Sequence, residues 1–71
     1  MKHSLDEFGL SRQQVLELID SYIFHERNRQ VLRRRLLDGV GYEELAYEFG
    51  LSVNQVKSVC YAAIQKLSSH I

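Results

Sequence analysis

At 71 residues, 45% of them apolar, the chain is long enough for one hydrophobic core and too short for two. Nine basic and nine acidic side chains cancel, which excludes a polycation that holds nucleic acid by charge alone. The one cysteine, Cys60, excludes an internal disulfide, and no apolar run nears the roughly 20 residues that span a bilayer.

Proline is absent and the four glycines are well separated, so helices can run without internal breaks. An all-α fold is expected, a compact bundle of about four helices in a single domain over residues 1–71. The opening MKHSLDEF places acids where a secretory leader needs its apolar stretch. With a lone thiol and no membrane segment, a cytoplasmic protein is expected.

Ser4 and Glu7 are spaced as a capping box, which would start one short turn ended by Gly9. Ser11 and Gln14 repeat the spacing, and here a long periodic run follows. Val15, Leu18, Ile19, Tyr22 and Ile23 recur at steps of three and four, predicting a helix from about 12 to 25. Residues 1–25 thus form an N-terminal helical extension. His25 is expected at its end, where a charged imidazole favours the helix dipole.

A second helix is predicted to start at Asn28 or near His25–Glu26, with Val31, Leu32, Leu36 and Leu37 turned inward. Gly39 suits its left-handed C-terminal cap. The third helix runs from about 42 to 49, with Leu45, Ala46 and Phe49 inside. Gly50 allows a positive φ, Leu51 plugs the core, and Ser52 caps a fourth helix over about 53–68. That helix is predicted to bury Val56, Val59, Cys60, Ala63, Ile64 and Leu67, and to expose Asn54, Gln55, Lys57, Ser58, Tyr61 and Gln65.

Charge alternates along these elements. Residues 1–26 carry a net −3, residues 27–38 a net +4, residues 39–50 a net −3 and residues 51–71 a net +2. Phosphate attraction is therefore expected on the second helix and the start of the last.

From Tyr42 to Val59 the requirements of a helix-turn-helix occur together. Ala46 is small where two helices cross, Gly50 sits in the turn, and Leu45, Phe49, Leu51, Val56 and Val59 form a shared seam. Ser52 opens a helix whose first turn is polar and slender, as a major-groove reader needs.

The run ERNRQVLRRRLLDGVGYEELAYEFGLSVNQVKSVCYAAIQKL, Glu26 to Leu67, resembles region 4 of bacterial sigma factors. The VL and arginine block, the D-G loop, YEELA and GLSVNQVKS carry the likeness, which covers about 60% of the chain. DNA-binding domains of two-component and quorum-sensing regulators share its VL…G…LA…LS…VK pattern. The chain is also similar to short sigma-like proteins of prophages and mobile elements. The resemblance implies a DNA-binding transcriptional regulator that reads the major groove with the helix starting at Ser52. It implies double-stranded DNA as the partner, with RNA polymerase as a second. The sequence departs from the family at Val59 and Ala62, where basic residues are common, and the regions that melt promoter DNA have no counterpart.

Asn54 and Gln55 can pair with the N6 and N7 edge of adenine, and Lys57 and Ser58 address phosphate or a base edge one turn on. Tyr61 can bond a phosphate through its hydroxyl, or serve at a dimer contact. Arg35 matches the arginine of the sigma-like pattern and is the best phosphate candidate outside the last helix. One of Arg33 and Arg34 is expected to pair with a glutamate. The helix start near Tyr42 offers backbone N–H groups to a phosphate, in competition with Glu43 and Glu44.

No nucleophile has a catalytic partner in this sequence and no glycine-rich phosphate loop exists, so no enzyme, cofactor or metal is expected. Two other readings stay open. One is a protein-interaction module of the same fold that docks on RNA polymerase or another regulator. The other is the DNA-recognition subunit of a phage packaging machine. A homodimer fits the small size, and the stretch with Glu17, Asp20, Tyr22, Ile23 and Phe24 is the expected partner surface.

Overall fold

Two capping boxes, two left-handed glycines and one unusual helical turn determine where the elements begin and end. The computed structural model describes residues 9–70; the Ser4–Glu7 pair lies outside them. Four helices follow in order: α1 over Arg12–Tyr22, α2 over Glu26–Leu32, α3 over Tyr42–Phe49 and α4 over Val53–Ser68. A π-helical segment, Arg33–Leu37, continues α2. There is no strand among the described residues, and the fold is all-α.

At the head of α1 the Ser11 hydroxyl accepts from the Gln14 N–H at 3.2 Å. The Gln14 side-chain oxygen accepts from the Ser11 N–H at 2.9 Å, so two donors that a helix start leaves free are satisfied. The helix stops at Tyr22, three residues short of the predicted end, and Ile23 is extended. Arg29 accounts for the stop. Its Nε donates to the Ile23 carbonyl and its second amino group to the Asp20 carbonyl at 2.8 Å, taking acceptors that a longer helix would use. His25 is accordingly the N-cap of α2 rather than the end of α1. It sits at the start of a helix rather than at the end of one, the reverse of the sequence expectation.

The α3–α4 joint is a Schellman turn. Gly50 adopts φ +67°, which L side chains rarely take. Leu51 N–H reaches the Ala46 carbonyl at 2.8 Å and Gly50 N–H the Tyr47 carbonyl at 3.4 Å, closing the helix end. Ser52 and Gln55 then form the second capping box, at 3.1 and 2.8 Å.

Every helix contributes to one core. Ile19, Val31, Leu32, Leu45, Val56, Cys60 and Leu67 are fully buried, joined by Val15, Ile23, Ala46 and Ala63. Each large aliphatic side chain buried in this way contributes about 1.5–3 kcal/mol relative to an exposed one. Helix α4 is the central element and packs on α1, α2 and α3. Val59 and Ile64, predicted inside, are only half-buried. At 100° per residue they fall about 70° to either side of the Val56–Cys60–Ala63–Leu67 stripe. Leu51 is likewise half-buried, packed on the core's edge.

Candidate nucleic-acid interface

The face of α4 opposite its buried stripe is polar. Asn54, Ser58, Tyr61 and Gln65 fall within about 60° of one another around the helix, and all four are exposed. Gln55 is exposed too, but its side-chain oxygen is held by the Ser52 N–H. One of that oxygen's two lone pairs is thereby engaged in the cap, so the amide is committed to the helix start in this conformation. Asn54 has no such commitment and keeps both groups turned to solvent.

Four of the predicted residues meet beside this stripe. The Arg35 guanidinium lies 4.2 Å from the centre of the Tyr42 ring and donates to the Val40 carbonyl at 3.0 Å. Lys57 Nζ stands 5.7 Å from the same ring, and Tyr61 meets Tyr42 edge-on with centroids 6.2 Å apart. The π-helical segment, the first residue of α3 and the middle of α4 thus build one cation–aromatic cluster. Burial pushes the Tyr42 hydroxyl above its ordinary value against the opposing pull of Arg35, so the phenol stays neutral. Burial likewise pushes the Cys60 thiol up. Cys60 is a core residue, as its spacing predicts.

The arginine block does not form the basic face expected of it. Arg33 binds Asp20 of α1 at 2.8 Å. Arg34 binds Glu48 of α3 at 2.7 Å and Asp38 at 3.2 Å. Arg29 holds the end of α1, and Arg12 reaches back to the Leu37 carbonyl at 2.9 Å and to Asp38 at 3.8 Å. Three successive arginines diverge because each helical step turns the side chain: Arg33 reaches α1, while Arg34 and Arg35 reach opposite ends of α3. Arg34, as expected, pairs with a glutamate. Arg35, predicted as a phosphate ligand, is half-buried and secures the connector into α3. Lys57, predicted exposed, is half-buried and stands 5.7 Å from the Tyr42 ring beside the exposed stripe of α4.

Glu43 and Glu44 occupy the first turn of α3, where they complement the helix dipole and repel a phosphate. Val59 and Ala62, the positions where the sequence departs from the sigma pattern, line an open groove with Ile23, Phe24 and Lys66. Phe24 is 74% exposed beside it, and Lys66 Nζ lies 5.4 Å from its ring. The sequence reading missed Lys66 and the groove. The phase of Phe24 is the available signal, since it falls outside the Val15–Ile19–Ile23 stripe.

No helix among the described residues is long and apolar enough to cross a membrane. Comparison with known protein families, with curated proteins and with solved structures finds no match to this chain.

Proposed function

We propose that this protein is a DNA-binding transcriptional regulator that lays α4 in the major groove. The observation that carries the reading is a rigidly jointed α3–α4 pair whose outward α4 stripe is exposed, polar and slender. Asn54 and Ser58 address base edges, and Lys57 and Tyr61 address the backbone. Arg35 and Tyr42 support that pair from behind rather than contacting DNA. With so few free cations the salt dependence is shallow. One or two phosphate contacts give a slope of about −1 to −2 in log affinity against log salt.

The test is selection of bound fragments from genomic DNA at two salt concentrations, followed by titration of the enriched sequence. Enrichment of a defined site, lost in Asn54→Ala with helical content unchanged, supports the reading. Absence of any fragment above background at low salt overturns it.

A second reading, a protein-interaction module docking on RNA polymerase or another regulator, is favoured by one observation. The arginines that would attract phosphate are held by Asp20, Asp38 and Glu48. Binding to purified polymerase without any selected DNA site is the outcome that reading requires.

A further inference from the structure

We propose that the groove between α4 and the α1–α2 turn is a two-fold interface that receives the Phe24 side chain of a second copy of this chain. Phe24, 74% exposed, forms one wall of an open hollow of about 230 Å³ whose lining also includes Ile23, Val59, Ala62, Ala63 and Lys66, with Lys66 Nζ 5.4 Å from its ring. An aromatic knob and an apolar hollow lie side by side on one surface. A foreign partner would need only the hollow. Knob and hollow together are self-complementary, because a two-fold axis seats each knob in the other copy's hollow.

The charges agree with the same occupant. Glu26, two residues after the knob, pairs loosely with Arg29 at 3.9 Å and accepts from Gln30 at 3.2 Å, yet its side chain stays 64% exposed, and Lys66 rims the receiving groove. Inserting one copy's Phe24–Glu26 turn carries a carboxylate towards the other copy's ammonium, twice per dimer. A net charge of zero removes the long-range repulsion between like copies. Burying an aromatic anchor in a pocket is what concentrates binding energy at an interface. The surface is separate from the Asn54–Ser58 stripe, so this association does not depend on DNA.

Sedimentation equilibrium on the protein alone, from about 1 μM to about 1 mM, tests it. The expected result is a monomer–dimer equilibrium weakened at least tenfold by Phe24→Asp. Since Phe24 is exposed, that variant keeps the fold, which circular dichroism checks. Glu26→Lys and Lys66→Glu each weaken the dimer, and the double variant, which restores opposite charges across the two-fold, recovers most of the affinity. A chain that stays monomeric throughout, a dimer indifferent to Phe24→Asp, or a double variant no tighter than the singles overturns the proposal.

Discussion

In α2 and its π-helical continuation, Arg29, Arg33, Arg34 and Arg35 turn inward on the protein, binding carbonyls, carboxylates and a tyrosine ring. In α4, Asn54 and Ser58 stay in water. Both regions are rich in polar groups, yet one uses them as struts and the other leaves them exposed to solvent. A run of positive charge in a sequence is therefore no guide to a phosphate-binding face until the acids that reach it are known. Here Asp20 and Glu48, 13 and 14 residues away from the arginines they bind, neutralise two of the three in the block.

The contrast makes graded predictions. Arg29→Ala is expected to have the largest effect. It removes charged donors from the end of α1 and costs about 1.5–3 kcal/mol in urea denaturation. A cost under about 0.5 kcal/mol would show that the strut is idle. Gly50→Ala follows at about 1–2 kcal/mol, because φ +67° is strained for a side chain. The added Cβ meets nothing within 4 Å, so the loss is a backbone effect alone.

Arg34→Gln gives a smaller loss with a distinctive pH signature. The Arg34 hydrogen bond holds the Glu48 carboxyl below its usual range. A depressed carboxylate stabilises the fold above its unfolded pKa of about 4.3 and ceases to do so as pH falls through the lower folded value. The gap between wild type and Arg34→Gln is thus flat near neutral pH, closes in acid and shrinks in salt. Smallest of all, Asn54→Ala changes stability by no more than about 0.5 kcal/mol. A larger loss would show that Asn54 has a structural role despite its exposure.

The sequence made local features legible and distant ones not. Ser11–Gln14 and Ser52–Gln55 announce helix starts because a capping box spans only four residues. Gly39 and Gly50 announce ends because their left-handed φ is a property of the residue. The end of α3 and the start of α4 follow from these signals. The end of α1 is set by Arg29, a side chain seven residues beyond Tyr22, and no periodicity reveals it. RRRLL carries no mark of π geometry, which arises from how α2 must meet the connector to α3. On the candidate face, exposure of Asn54, Ser58 and Tyr61 was readable from phase. The inward use of Arg35 and the capping of Gln55's oxygen were not, since phase gives a side chain's direction and not its partner.

The π-helical turn at Arg33–Leu37 makes the fold sensitive to length at that point. Its wider hydrogen bonds, Asp38 N–H to the Arg33 carbonyl and Val40 N–H to the Arg34 carbonyl, accommodate a residue that an α-turn would have no room for. Deleting one residue there would rotate α3 and α4 together by about 100° about the helix axis relative to α1 and α2, carrying Tyr42 and Lys57 as a pair away from Arg35. The segment acts as a spacer whose count, more than its composition, keeps the two halves of the molecule in phase.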